Sequence, residues 1–307
     1  MKTIQIKVII LLIASSVLSS CKKDDKMEST PTSGFSSLEE FYNKYAVKSQ
    51  YFNINNNAQQ VITGNQGSIV TFPANSLVHA NGQPATGNVR VEIKEIYKKS
   101  DMLFADKPTM TATGPLLSGG EIFIQAIEET SGEILQVANN AEVGIFMPAV
   151  APPDSMNLFI ATANMAEFTW VPAPGTGWSN TIFTTPTGYQ ISTDTLTWIN
   201  CDQPIFSNPW LILDMHANDN PVDYNTDVFL FFPNKSVIHL YQNNNNDFRN
   251  YYTPKNSTMT AVAIGLKNGK LYSAFVPVTA TNSNLTVNFT LQETSEAALT
   301  AAILGLD

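Results

Sequence analysis

The sequence predicts an all-β fold: two β-sandwiches in tandem, with a short helix near each end. Three observations predict it. Apolar runs of strand length recur every 8 to 15 residues, with turn residues between them. Leu285-Thr286-Val287-Asn288-Phe289-Thr290-Leu291 alternates apolar and polar, the pattern of a strand with one buried face. Helix signals are confined to two short stretches.

The elements follow in chain order. Ser36-x-x-Glu39 reads as a capping box opening a helix that runs through Phe41 to about Val47. Asn81-Gly82 marks a turn. Val89, Val91 and Ile93 point inward on the next strand, while Arg90, Glu92 and Lys94 form an outward charge ladder. Glu95 falls on the inward parity, so a bulge near Lys94 is expected to turn it out. Ile122 to Ile127 and Ile134 to Val137 flank Ser131-Gly132 and predict a hairpin. Met259 to Leu266 and Leu271 to Val278 flank Asn268-Gly269, the strongest short hairpin signal in the chain. Val228 to Phe232 is continuously apolar, as in a strand buried on both faces. Ser295 caps a terminal helix, Glu296 to Leu304, stopped by Gly305. Ala297, Ala298, Ala301, Ile303 and Leu304 are its expected docking face.

The first twenty residues carry Lys2 and Lys7 ahead of a short apolar core, the layout of a secretory signal. Leu18-Ser19-Ser20-Cys21 resembles the lipobox of bacterial lipoproteins. That resemblance implies cleavage before Cys21 and a lipid on its sulfur, hence a membrane partner reached through the anchor. Lys22-Lys23-Asp24-Asp25 resembles the export signal of surface lipoproteins in Bacteroidota. An outer-membrane lipoprotein exposed at the cell surface is therefore expected, with residues 21–34 as a flexible tether.

Two of the 17 basic residues and none of the 26 acids lie in that leader, so the mature chain sets 15 basic residues against 26 acids, net −11. This balance argues against nucleic acid as a partner. Cys201 is then the only cysteine besides the lipidated one, and burial between Ile199 and the core is its expected fate. A composition break over residues 173–188 places the domain boundary there. The expected domains are 35–180, helix plus first sandwich, and 181–307, second sandwich plus helix.

Gly64-x-x-Gly67-Ser68-Ile69-Val70-Thr71-Phe72-Pro73 resembles the opening of the ZU-five domain. Val89 to Ile93, Leu116-Leu117-Ser118-Gly119-Gly120 and Val143 to Pro148 are similar to its later parts. The stretches from Lys99 to Ile124, Thr195 to Pro204 and Ala261 to Ala274 look like uncharacterised Bacteroidota lipoproteins. The resemblance implies immunoglobulin-like or ZU-five-like sandwiches and says little about function. Some ZU-five proteins cut their own chain at His-Phe-Ser. Here His79, His216 and His239 precede Ala, Ala and Leu, so no self-cleavage is expected.

Nucleophile elbow, Walker loop, paired-histidine and Cys-x-x-Cys patterns are missing from the sequence. Glu92 and Glu95 are the candidate carboxylate pair for glycoside chemistry, but Glu92 belongs to the solvated ladder and the bulge is expected to turn Glu95 outward, so a structural reading is favoured. Asp214, Asp219, Asp223 and Asp227, with Asn218, Asn220 and Asn225, crowd one stretch. Such oxygen-rich loops suit calcium, and also suit turns on their own account. Trp178, between Gly177 and Ser179, is the candidate ligand-stacking residue, whereas Trp170 and Trp198 read as core. Asp154-Ser155-Met156 and Asp194-Thr195-Leu196 resemble short O-glycosylation sites of Bacteroidota.

The expected function is a non-catalytic surface binding or structural module without a cofactor, its ligand a polysaccharide or a protein. A carbohydrate-active or carbohydrate-binding accessory protein is one alternative. A periplasm-facing assembly factor is another.

Overall fold

In the computed structural model, described for residues 34–161, 168–175, 180–219, 221–244 and 246–307, the chain is all-β with short helices. Asn268 and Gly269 both take positive φ, 53° and 74°, as a two-residue primed turn requires. They join Ser257–Lys267 to Lys270–Ala280 in unbroken antiparallel register. The Ser131-Gly132 hairpin closes through the bridge of Ile127 with Ile134. Its return strand Gln136–Val137 then leaves to pair with Leu77–Val78.

Two sheets share the first core. A seven-stranded sheet has the order Gln50–Asn55, Asn88–Ile96, Gly114–Glu128, Trp198–Pro204, Asn157–Ala161, Trp170–Pro172, with Met110–Thr111 beside Gly114–Glu128. A five-stranded sheet runs Thr181–Thr185, Gly188–Thr193, Val143–Pro148, Ile69–Phe72, Gln60–Thr63. Val91, Ile93, Ile122 and Ile124 of one meet Val70, Phe72, Ile145 and Ile191 of the other. Ile199 and Cys201 lie fully buried in the same core, as their parity predicts.

Strands Thr181–Thr185, Gly188–Thr193 and Trp198–Pro204 all pair within these first two sheets. The change of sheet therefore comes between Pro204 and Trp210, not at residue 180. Residues 173–188, which suggested the boundary, include the strand Thr181–Thr185 of the first half.

Trp210 onward builds one eight-stranded sheet that curls into a half-barrel. Its concave face encloses a core drawn from its own strands, including Leu213, Met215, Leu230, Ile238, Phe248 and Phe289. A single sheet can bury its apolar face against itself only by curling. The alternate residues Phe229 and Phe231 point the other way, into a third core under the helices. The continuous apolar run is thus explained, since both faces of Thr226–Phe232 are covered.

Three helices cover that convex face: α1 (Leu38–Tyr45), α2 (Lys99–Phe104) and α3 (Glu296–Leu304). The cap of α1 sits one residue later than expected. Ser37 accepts the Glu40 N–H at 3.1 Å, and the Glu40 carboxylate accepts the Ser36 N–H at 2.8 Å. Two overlapping Ser-x-x-Glu frames exist, and the second puts Leu38, Phe41 and Tyr42 on one buried stripe. α1 packs on Phe229 of the eight-stranded sheet, so it belongs with the second half rather than the first. α2 had no sequence forecast.

The α3 boundaries match the sequence reading, but of its expected docking face only Ile303 is buried. Leu299, Thr300 and Ile303 are buried, whereas Ala297, Ala298, Ala301 and Leu304 are exposed. Alanines surround this helix and define no stripe, so the larger side chains four apart dock. The Ser295 hydroxyl accepts the Ala298 N–H at 3.2 Å. Ser295→Ala is expected to cost about 1 kcal/mol, measured by urea denaturation.

Candidate functional site

Strand Ser236–Gln242 alternates across the half-barrel wall. Ile238 and Leu240 enter the concave core, so His239 and Tyr241 project from the convex face. His239 stacks on its cross-strand neighbour Phe229, ring centroids 4.6 Å apart and planes at 19°. Phe229 also meets the edge of Tyr42 from α1. Helical cover ends here, and a cleft of about 540 Å³ opens between α1, the end of α2 and this strand.

Acids from distant parts of the chain converge in the cleft. Asp106 arrives on the left-handed turn that ends α2, φ 49°. Its Oδ1 lies 3.7 Å from His239 Nδ1. Asp227 Oδ1 lies 3.7 Å from His239 Nε2. Both separations exceed hydrogen-bond length. Tyr42 donates its hydroxyl to Asp227 Oδ2 at 2.8 Å. Burial, then the adjacent Asp227, push the Tyr42 phenol well above its ordinary range, so it stays a donor. Glu39 stands on the α1 side of the cleft. Lys107 is also in the lining, but its Nζ lies 4.3 Å from the Phe168 ring centre and 5.4 Å from that of Trp198.

Beyond His239 the face continues as a smaller hollow of about 180 Å³ beside Tyr241, Arg249, Tyr251 and Tyr252. Tyr241 lies against His239 at 5.0 Å and opposite Arg249 in the ladder. Arg249 forks onto Asp214, Nε to Oδ1 at 2.5 Å and Nη2 to Oδ2 at 3.0 Å. Tyr241 and Tyr251 are 38% and 52% exposed, and the Arg249 guanidinium lies 5.7 Å from the Tyr251 ring centre. Aromatic faces beside fixed polar groups suit a polyhydroxylated ligand, whose C–H faces stack while its hydroxyls hydrogen-bond.

The four aspartates expected to cradle calcium do not converge. Asp214 is committed to Arg249, and Asp227 accepts from Tyr42. Their strands stand three places apart in the sheet order, roughly 14 Å at the usual strand spacing. Asp219 lies two residues past the end of strand Trp210–Ala217, and Asp223 is exposed on the 3₁₀ turn Pro221–Tyr224. Among the described residues, no three His, Cys, Asp or Glu side chains are placed to share a metal ion.

Glu95 corrects a second expectation. Asn88–Ile96 pairs with Gly114–Glu128 without a bulge, so Glu95 keeps the inward parity and is fully buried. It accepts hydrogen bonds from Gln50 Nε2, Gln66 N and Ser68 N, each at 2.9 Å. Ile96 instead faces the helices. Glu95 therefore braces the turn Gly64 to Ser68, and its partner in the sequence reading, Glu92, lies on the opposite face.

A second acid pair was not foreseen. Glu121 and Asp202 are fully buried on neighbouring strands, beside Ser118 and Asn200. Asn200 Nδ2 donates to Asp202 Oδ2 at 2.7 Å. Among the described residues neither Glu121 oxygen, nor Asp202 Oδ1, has a hydrogen-bond partner. Burial, reinforced by Asp202, drives the Glu121 carboxyl well above its ordinary range despite Lys107. Burial does the same to Asp202 against the bonds from Ser118, Asn200 and Gly119.

Trp170 is fully buried, its Nε1 donating to the Pro108 carbonyl at 2.9 Å. Trp198 packs beside it. Ser155 is exposed in a turn, and Thr195 is half-buried with its N–H on Thr193 Oγ1. Trp178, Cys21, Lys22, Lys23, Asp24 and Asp25 lie outside the described residues. The chain matches no protein-family model and no curated protein at a significant level.

Proposed function

We propose that the chain is a lipid-anchored binding module displayed outside the outer membrane, and that its ligand is a saccharide held on the convex face around His239. One observation carries the ligand reading: the stripe Phe229, His239, Tyr241 leads from a polar cleft onto exposed tyrosines. The lipobox-like Leu18 to Cys21 and the export-like Lys22 to Asp25 support the anchor and its outward placement. Binding without turnover is the role assigned. The shared core of the first two sheets supports a ZU-five-like sandwich as scaffold, and the half-barrel is the second, ligand-bearing layer.

Two measurements test this. Protease added to intact cells is expected to digest a tagged chain, and protection until the outer membrane is opened would end the surface reading. On a glycan array, Tyr241→Ala with Tyr251→Ala is expected to weaken the retained saccharide about tenfold, since a stacked aromatic contact contributes about 1 kcal/mol. Equal retention by wild type and variant would remove the ligand from this face.

A further inference from the structure

We infer that the outer face of the five-stranded sheet is a second ligand site, which takes a neutral saccharide chain lying across the strands. This face shares no lining residue with the His239 cleft, and its case does not depend on the ligand proposed there.

The strands fix what the face presents. Ile62, Val70, Phe72, Ile145 and Ile191 point into the first core, so their neighbours along each strand point out. The registers join these neighbours into two cross-strand rows. One runs Thr63, Ile69, Phe146, Gln190, Phe183, and the next runs Val61, Thr71, Gly144, Ser192, Thr181. None of these residues is ionisable, in a chain with 26 acids and 17 basic residues. Glu142 and Asp194 stand just beyond one end, where they accept from Ser192 and Asn180. Gly144 carries no side chain, and it floors a hollow of about 360 Å³ beside Ile69, Phe146 and Phe183. Ile69 and Phe183 are 37% and 56% exposed.

These features select the occupant. A charged glycan finds no counter-charge on either row. The five strands, four to six residues long, outline roughly 400 Å², about half of what each partner buries in a stable protein complex, so a second copy or another protein is too large a match for the face. A peptide docks by adding a strand at a sheet edge, and the inner strands here already have partners on both sides. An acyl chain would bury the hydroxyls of Thr63, Thr71 and Thr181 and the Gln190 amide without partners. A neutral saccharide uses both kinds of group. Its C–H faces stack on Phe146 and Phe183, two strand spacings or about 10 Å apart, and its hydroxyls bond to the threonines and the amide.

The test uses the full chain on an array of neutral glucan, xylan and mannan hexasaccharides beside uronic-acid and amino-sugar hexasaccharides. Neutral hexasaccharides are expected to be retained by the variant that carries Tyr241→Ala with Tyr251→Ala, and retention should fall about tenfold further when Phe183→Ala or Gly144→Val is added. An added Cβ on Gly144 would lie 3.7 Å from Thr71 Cβ, so valine fills the hollow without a clash at its root. Thermal melts should show that both additions fold like their parent. Retention indifferent to Phe183→Ala and Gly144→Val would overturn the inference and leave the His239 face as the only saccharide site proposed. Retention indifferent to the tyrosine pair and lost with Phe183→Ala would support it and remove the ligand from the His239 face. Retention of charged hexasaccharides alone, or of none, would overturn it. So would a dimer in sedimentation that Phe183→Ala dissociates, since a second copy would then cover the face.

Discussion

Glu121→Gln is expected to stabilise the protein at neutral pH by about 1–3 kcal/mol, the scale seen when buried charges without full compensation are removed. The side chain is fully buried, and among the described residues neither carboxylate oxygen has a hydrogen-bond partner. Asp202 stands close by with one unpartnered oxygen of its own. Ionising either acid charges a buried site beside the other, so both titrate above their ordinary values of 4.5 and 3.8. The sign follows from proton counting. The folded state holds these protons more tightly than the unfolded state, so folding takes up protons as pH rises past about 4. The associated cost is absent below the unfolded values and grows toward the folded ones. Wild type should therefore lose stability as pH rises above about 4, and Glu121→Gln should lose less. The difference between their urea midpoints is expected near zero at pH 4 and largest at pH 8. A difference independent of pH would mean that Glu121 acts through packing rather than through its charge.

What the sequence disclosed follows from how local each signal is. The Asn268-Gly269 turn is decided by two adjacent residues with positive φ, and it forms where the sequence places it. The α3 boundaries were legible for the same reason, since Ser295 and Gly305 are local punctuation. Its buried face was not, because burial depends on what lies opposite. The half-barrel was illegible as such: the alternation that marks a sandwich face also marks a sheet that closes on itself. The cleft was hidden most completely. His239 was readable as a strand histidine, but its two acids come from Asp106 and Asp227, and Tyr42 lies near the other end of the chain. Only the clustering of acids in residues 214–227 touched the site, and it pointed to an ion that Asp214 and Asp227 are too far apart to share. The parity of Glu95 was legible, and the reading departed from it because the apolar Ile96 follows. The missing facts were the helices that bury Ile96 on the other face and the donors that satisfy Glu95.

Those donors make Glu95→Ala the most damaging substitution considered, with an expected loss of about 3–5 kcal/mol. Three donors converge on the carboxylate, two of them main-chain N–H groups of the turn that joins strands Gln60–Thr63 and Ile69–Phe72. Truncation leaves them without an acceptor in a closed site, at about 1–3 kcal/mol for each buried group. The turn cannot simply collapse to compensate. An added Cβ on Gly64 would lie 2.4 Å from Glu95 Oε2, so main chain and carboxylate are already in contact. Burial alone would raise the Glu95 pKa, but the bonds from Gln50, Gln66 and Ser68 outweigh it and hold the value below 4.5. The linkage is thus opposite in sign to that of Glu121. The contribution of Glu95 is full above the unfolded value and disappears as pH falls through the folded one. Glu95→Gln keeps one acceptor oxygen but turns an amide toward donors, so it should recover only part of the loss. Urea denaturation at pH 7 and pH 3 checks both points: the deficit of Glu95→Gln should be smaller than that of Glu95→Ala at pH 7 and should shrink at pH 3. Equal deficits at both pH values would mean that the cavity left behind, rather than the lost acceptor, destabilises the turn.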